Sequence, residues 1–234
     1  MTTVAVGTKS QGRFGPYLVA VPFATIMFGF YGTFTPFGPP GILGFALVGV
    51  LWAVLLGFIA ERLMRREAWR GWLANAPVFL GSMATGLMVG GGYMYISLTG
   101  AALDEPSMTY AVLSALMKPA VPFYIVLNTL MELFLVSLAV FGNWNTSPQR
   151  RTLILIGAMA YLAMRIWTYL VYAETRLVIS QQPLSQADVE WFKQTLATDY
   201  RIVLNLVTHV SFLLAAFVPV KALREAGRTR VLYE

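Results

Sequence analysis

The sequence has no cysteine and a single histidine, His209, among its 234 residues. The absence of cysteine excludes disulfide bonds, thiolate nucleophiles and cysteine-ligated iron–sulfur clusters. A single histidine excludes a haem held by two histidines of this chain, and it leaves no histidine set for a zinc, copper or iron site. We therefore predict a protein without a metal site or cofactor.

Charged residues are also scarce. They make up 12% of the chain, and hydrophobic residues make up 57%. A soluble domain has about 25% charged and about 45–50% apolar residues, so the balance predicts an integral membrane protein in contact with the lipid bilayer. The net charge of +6 comes from basic residues between apolar runs. The positive-inside rule explains this pattern better than nucleic-acid binding, so we expect no nucleic-acid partner.

Six apolar segments are long enough to cross a hydrocarbon core, which takes about 20 helical residues. They run over residues 16–35, 41–61, 77–98, 121–142, 153–174 and 201–220. We predict an all-α integral membrane protein with an N-terminal transmembrane hairpin in residues 1–70 and a four-helix bundle in residues 71–234. The N-terminus is basic and then apolar, as in a signal peptide. Because no small-residue cleavage site follows at the usual distance, we interpret the first segment as a retained span.

The basic residues predict the orientation. With six spans, one side of the membrane receives 12 of the 17 lysines and arginines, the other side receives four, and Arg165 lies inside a span. Since cytoplasmic loops carry the excess of lysine and arginine, both termini are predicted to be cytoplasmic. The predicted location is the bacterial inner (plasma) membrane.

Two segments on the opposite side are long enough to contain a loop helix. Residues 99–120 have an apolar-periodic stretch preceded by Asp104, and we predict a short helix there. Residues 175–200 contain an amphipathic stretch preceded by Ser185 and Asp188, which resemble a capping pair. Both helices are predicted to lie on the outer surface, either as lids over the bundle or as plain connections.

Three ionisable residues lie deep inside the predicted spans: Glu132, Arg165 and His209. At about 1.5 Å per residue, all three lie roughly 13–18 Å below the outer surface. A charged side chain at the bilayer centre costs at least about 2.5–3.5 kcal/mol. We therefore predict that Glu132 and Arg165 form a pair inside the bundle and that His209 belongs to the same cluster.

A second layer of polar residues lies one turn further out. Asn128, Tyr169 and Asn205 each stand four residues from a deep ionisable group on the same helix, and hence on the same face. Two interpretations remain open. A buried ion pair can serve only to select which helices pack together. Alternatively, the cluster is a functional site, which a histidine that titrates near pH ~6.5 would suit.

The third segment carries small residues at a four-residue spacing: Ser82, Gly86 and Gly90. Such a face lets another helix approach closely. We predict that Gly86 and Gly90 contact a packing partner helix.

The last four segments resemble a known family. The third reads ATGLMVGGGYMYISL, the fourth PAVPFYIVLNTLMELFLVSLAV and the sixth DYRIVLNLVTHVSFLLAAF. This layout resembles the anthrone oxygenase-like family of small bacterial membrane proteins, over about residues 77–222. The local matches are Thr85-Gly86, Pro122 and Asn205, whereas the first two segments have no counterpart in the minimal family.

The resemblance implies a helical bundle with a pocket for a lipophilic small molecule, aromatic or polyketide-like, and a cofactor-independent oxygenase reaction. A positioned base would deprotonate the substrate, and the resulting carbanion can itself reduce dioxygen. We expect His209 or Glu132 to be the base and Arg165 to stabilise the oxyanion. The residues expected to orient substrate oxygens are Asn128, Tyr169 and Asn205. The alternatives are a transporter component, which three intramembrane ionisable groups would suit, and a non-catalytic subunit of a membrane complex.

Overall fold

The computed structural model describes residues 14–104, 109–172, 185–196 and 199–220, and every regular element in these ranges is helical. Their eight α-helices are α1 (Tyr17–Thr33), α2 (Pro39–Met64), α3 (Glu67–Asp104), α4 (Thr109–Leu130), α5 (Val136–Asn143), α6 (Pro148–Trp167), α7 (Gln186–Leu196) and α8 (Arg201–Phe217). Two π-helical segments complete the fold: π1 (Met131–Leu135) joins α4 to α5, and π2 (Thr168–Tyr172) continues α6.

Over the described residues, the structure confirms an all-α fold, and its apolar helices support a membrane protein. Four stretches of the described residues are long and apolar enough to cross a bilayer: Pro39–Met64, Glu67–Ala102, Lys118–Asn143 and Pro148–Tyr172. Helices α1 and α8 are apolar but have only 17 residues each. At about 1.5 Å per residue they extend about 25 Å, near the lower limit for a hydrocarbon core of about 30 Å.

Glycine and proline explain the turn between α1 and α2. Gly38 has a φ of 59°, in the left-handed region that glycine enters without strain. Pro39 and Pro40 then occupy the first turn of α2, where the missing N–H has no helical partner to lose. Gly49 lets the two helices approach, because a Cβ at this position would lie 2.5 Å from the carbonyl oxygen of Ala24. As a result, α1 and α2 form a closely packed antiparallel pair.

This N-terminal pair shares its core with the rest of the protein. Phe23 and Met27 of α1 belong to the main hydrophobic core, together with buried residues of α3, π1, α5, α6 and α8. The Trp52 indole N–H on α2 donates to the carbonyl of Leu133, in π1, at 2.7 Å. The predicted boundary between residues 70 and 71 lies inside α3. The N-terminal pair is therefore packed as part of the bundle.

The separate helix predicted within residues 99–120 has to be corrected. In the structure, α3 continues to Asp104, and α4 runs from Thr109 straight into the predicted fourth span. Pro119 and Pro122 lie inside α4 without ending it. Prolines are tolerated in membrane helices because neighbouring groups satisfy the freed carbonyls. The apolar stretch after Thr109 is thus an extension of the span.

The second loop helix is confirmed as α7. The Ser185 hydroxyl accepts from the Asp188 backbone N–H at 3.2 Å, and the Asp188 carboxylate accepts from the Ser185 backbone N–H at 2.7 Å. This reciprocal arrangement is a capping box, which supplies acceptors for N–H groups that the first helical turn leaves unpaired. The capping pair recognised in the sequence therefore starts this helix.

Arg150, one of the basic residues between the predicted spans, is completely buried at the start of α6. Its guanidinium donates to four oxygens: Asn143 Oδ1 at 2.6 Å, the Val218 carbonyl at 2.6 Å, the Ala74 carbonyl at 2.9 Å and Asn75 Oδ1 at 2.9 Å. These acceptors come from α3, α5 and the end of α8. A helix C-terminus carries a partial negative charge, which favours a cation there. Arg150 therefore joins three helices through neutral acceptors.

Arg150→Met should lower the stability of the protein by about 3 kcal/mol or more, because four acceptors, two of them buried, lose their donor together. The neighbouring Arg151 provides a matched control. It lies over the Trp144 ring, 5.4 Å from the centroid, and is only half-buried. Arg151→Met should cost less than about 1 kcal/mol. Thermal unfolding of the purified variants measures both, and equal effects would contradict the structural role of Arg150.

Candidate functional site

The predicted ion pair between Glu132 and Arg165 is present at the centre of the bundle. Arg165 Nε–H donates to Glu132 Oε1 across the interface between π1 and α6. The Glu132 side chain is completely buried, and the Arg165 side chain is 9% exposed. Each charge compensates for the free-energy cost of desolvating the other. An isolated charge in the bundle would have no such compensation.

Two tyrosines complete the hydrogen bonding of this carboxylate. Tyr31 and Tyr169 both donate through their hydroxyls to Glu132 Oε2, and the Tyr169 bond is 3.2 Å long. The Arg165 guanidinium carbon also lies 4.4 Å from the Tyr169 ring centroid, a cation–π contact. Glu132 thus accepts from three donors on α1, α6 and π2. These four residues are called the carboxylate cluster below.

Tyr31 was not predicted as a site residue. It belongs to the first apolar segment, which has no counterpart in the resembled family. Its position on α1 nevertheless places a hydroxyl at the depth of Glu132. Tyr31 lies only four residues from the outer end of the first predicted span, roughly 6 Å deep, so comparing residue depths does not identify it as a partner of Glu132.

The two π-helical segments each carry one member of the carboxylate cluster. Glu132 lies in π1, and π2 begins three residues after Arg165 and contains Tyr169. A π-helical turn widens the helix by one residue and is often found at functional sites. Thr168 Oγ1 donates to the Met164 carbonyl at 2.8 Å beside π2. The helices on both sides of the ion pair are therefore locally widened.

A cavity of about 390 Å³ extends from the cluster toward Arg201 at the start of α8, between α1, α3, α4, α6, π2 and α8. The end at Arg201 is called the outer end of the cavity below, and the opposite end is called its inner end. This volume is within the range of small-molecule sites. Aromatic and aliphatic side chains form most of its described walls: Tyr31, Phe34, Met88, Tyr95, Ile96, Val121, Tyr124, Ile125, Met164, Tyr172 and Ile202. Such walls suit a lipophilic ligand.

One group of polar residues lies toward the inner end of the cavity. Arg165, Tyr169, Asn128 and Asn205 all line it, so the structure brings together four of the six predicted site residues around one space. The Asn128 amide is already bonded, to the Tyr124 carbonyl at 2.8 Å and the Tyr161 hydroxyl at 2.9 Å. The predicted Glu132 lies behind Arg165 and is not among the described lining residues.

Asn205 differs from Asn128 in its hydrogen bonding. Its side-chain oxygen is buried, and no described residue donates a hydrogen bond to it. Most buried polar atoms in proteins have a partner, so such an atom at a cavity wall indicates a place for a ligand or a water molecule.

A second ion pair lies at the outer end of the cavity. Arg201 Nε–H donates to Asp199 at 2.6 Å, and the Arg201 guanidinium carbon lies 3.7 Å from the Tyr172 ring centroid. All three residues line the cavity. Helix α7 adjoins this end, because the Tyr172 hydroxyl donates to the Thr195 carbonyl at 3.3 Å. The outer end of the cavity is therefore bounded by paired charges and by α7.

His209 lies apart from the predicted cluster. Its Nδ1 is 2.8 Å from the Ser82 carbonyl and 3.2 Å from the Ser82 hydroxyl, on α3. A Cβ at Gly86 would lie 3.0 Å from the imidazole ring. Among the described residues that line the cavity, His209 is absent. The sequence predicted that His209 lies with Glu132 and Arg165, whereas its described hydrogen-bond contacts are with Ser82 on α3.

This contact also identifies the neighbour of the small-residue face. Ser82 and Gly86 pack against His209 of the same chain, so α8 fills that part of the face. Nothing in the described structure lies within 4 Å of a Cβ placed at Gly90. A packing partner from another chain at Gly90 stays a prediction.

Comparisons with protein-family models, with curated proteins and with solved structures returned no match to this chain. Within the described residues, no three His, Asp or Glu side chains come together in a way that could hold a metal ion.

Glu132→Leu or Arg165→Met alone should destabilise the protein by about 3–5 kcal/mol, because each leaves the other charge buried without its partner. The double variant removes both charges, and its loss of stability should be clearly smaller than the sum of the two single losses. Thermal unfolding of the four proteins in one detergent provides the comparison. Additive losses would show that the two side chains do not interact.

Proposed function

We propose that this chain is a six-span inner-membrane protein that binds a lipophilic small molecule in the cavity above the carboxylate cluster. The observation that carries the proposal is the cavity itself, with apolar walls, a polar inner end and an unpartnered buried acceptor. Binding sites for small molecules commonly combine these features.

Contacts at both ends of α8 support its assignment as a span. Arg201, at its start, lies over Tyr172, the last residue of the candidate span Pro148–Tyr172. The Val218 carbonyl, after its end, accepts from Arg150 near the first residue of that span. Because α8 follows the full length of a candidate span, it crosses the same thickness.

The same reasoning supports α1 as a span. The Tyr17 hydroxyl donates to Glu61 at 3.1 Å near the end of α2, and Thr35, just after α1, lies beside Gly41 near the beginning of α2. Since α2 is itself a candidate span, α1 and α2 together form the proposed transmembrane hairpin. With six spans, the two termini lie on the same side.

Both termini should be cytoplasmic, because that orientation puts 12 of the 17 lysines and arginines inside and four outside. Reporter fusions test this. A reporter after Glu234 should be active in the cytoplasm, and one inserted after Asp104 should be active only on the outer side. An external C-terminus would contradict the six-span arrangement.

Oxygen insertion, the reaction that the resemblance implies, stays a prediction. A cofactor-independent oxygenase needs a base within hydrogen-bond reach of its substrate. The described lining contains neither His209 nor Glu132, and Glu132 already accepts from three donors. The observations support ligand binding more directly than turnover, and they favour neither the transporter nor the complex-subunit alternative.

Benzophenone provides a test of binding, because this neutral ketone inserts on illumination into nearby C–H bonds, with a preference for methionine. In protein reconstituted into bilayers, we expect labelling of cavity-lining residues such as Met88, Met164 and Tyr124. Peptide mass spectrometry identifies the labelled residues. Lipid-facing methionines serve as internal controls for labelling from the bulk membrane: Met83, Met94 and Met159, which are 50%, 59% and 58% exposed.

A matched pair of variants sharpens this test. Gly92 lines the cavity, and a Cβ there would lie 3.4 Å from the Tyr124 hydroxyl, so Gly92→Leu should fill the space and remove most cavity labelling. Gly90 on the same helix is exposed, so Gly90→Leu should leave cavity labelling unchanged. Labelling confined to the lipid-facing methionines in the wild type would contradict the proposed function.

A further inference from the structure

We infer that the cavity takes an uncharged lipophile whose polar end carries a hydrogen-bond acceptor beside a hydrogen-bond donor, as in a carboxamide or a hydroxy ketone. The inference rests on the proposed function, since it names the class of molecule that this cavity binds. It follows from the charge balance of the cavity, the donors of Arg165 and the acceptor of Asn205.

The charges at the cavity are already balanced. Arg165 is paired with Glu132 at the inner end, and Arg201 is paired with Asp199 at the outer end. An anionic ligand would therefore add an uncompensated negative charge in a region of low dielectric, where such a charge is costly. A cationic ligand would likewise find, among the described lining residues, no carboxylate that is not already paired. The balance favours an uncharged ligand.

Arg165 supplies the donors for a ligand acceptor. A guanidinium has five N–H groups, and the hydrogen bond to Glu132 uses only the one at Nε. One further N–H group of Arg165 interacts with the Tyr169 hydroxyl, and because Arg165 lines the cavity, a ligand oxygen can accept from the others. A neutral carbonyl can accept from them without disturbing the ion pair.

Asn205 supplies the acceptor for a ligand donor. Its Oδ1 is buried and lacks a donor among the described residues, although the side chain lines the cavity. A purely accepting ligand, such as a simple ketone, would leave this oxygen unpaired, and an unpaired buried acceptor is unfavourable. A hydroxyl or amide N–H on the ligand would satisfy it.

The packing of α6 against α8 places Arg165 and Asn205 close in depth. The Thr208 hydroxyl lies 3.3 Å from the Gly157 carbonyl, which sets the level at which the antiparallel helices meet. One turn further out, Asn205 stands at the level of Tyr161, and Arg165 follows one turn beyond. One helical turn rises about 5.4 Å, so a single polar head group with adjacent donor and acceptor can reach both.

Three naphthalene derivatives of similar size test the inference: the carboxamide, the methyl ketone and the carboxylate. Their affinities for the wild-type protein in nanodiscs are measured by tryptophan-fluorescence quenching, and each is corrected for partitioning into empty nanodiscs. We expect the carboxamide to bind roughly 2- to 10-fold more tightly than the ketone, the effect of about one net hydrogen bond. The carboxylate, charged at neutral pH, should bind most weakly.

Two variants in α8 test whether Asn205 causes the preference for the carboxamide over the ketone. Asn205→Leu should reduce carboxamide binding to the level of the ketone, and its thermal stability should not fall, because the variant removes an unpaired buried acceptor. Thr208→Val removes a buried hydroxyl one turn deeper on the same helix, outside the described lining. It should keep the preference for the carboxamide.

Carboxylate binding as tight as carboxamide binding would overturn the inference, and so would a carboxamide preference that survives Asn205→Leu. Either result would leave the cavity as a site for lipophiles. If none of the three probes binds and benzophenone does not label the cavity, the proposed function fails as well.

Discussion

The burial of one carboxylate governs the arrangement of the bundle. Glu132 has no exposed surface, and an ionised carboxylate without partners is among the most unfavourable groups to bury. Arg165 supplies the compensating charge, and Tyr31 and Tyr169 supply hydroxyl donors. Because these three partners come from α1, α6 and π2, the positions of those elements around π1 are coupled. A shift of any one would leave a buried group unsatisfied.

The same requirement shapes the cavity. Both chain segments that carry the ion pair are π-helical beside it, and Trp52 on α2 provides a donor to a carbonyl of π1. The Tyr161 hydroxyl holds Asn128, a residue of the cavity wall, by a hydrogen bond. On the outer side, apolar walls leave room for a ligand. Through Tyr31, Arg165 and Tyr169, the carboxylate cluster thus forms part of the cavity wall as well as a link between helices.

Several features could be predicted from particular residues. Equal depths of Glu132 and Arg165 on antiparallel spans predicted their pairing, because a buried charge needs a partner within reach. For His209 the same comparison predicted a place in the cluster, but depth says nothing about the direction in which a helix face points. On α8, His209 faces Ser82 on α3, whereas Asn205, one turn outward, lines the cavity.

The sequence by itself determined the lipid environment, the helical class and the residues too polar to face lipid, because composition and apolar run length are local properties of the chain. The tertiary structure alone decided which polar groups meet. Tyr31 reaches Glu132 across about a hundred residues, and Arg150 joins three helices through neutral oxygens, neither of which has a local sequence pattern. Such partners are chosen by the rotation and depth of packed helices, which depend on every contact in the bundle at once.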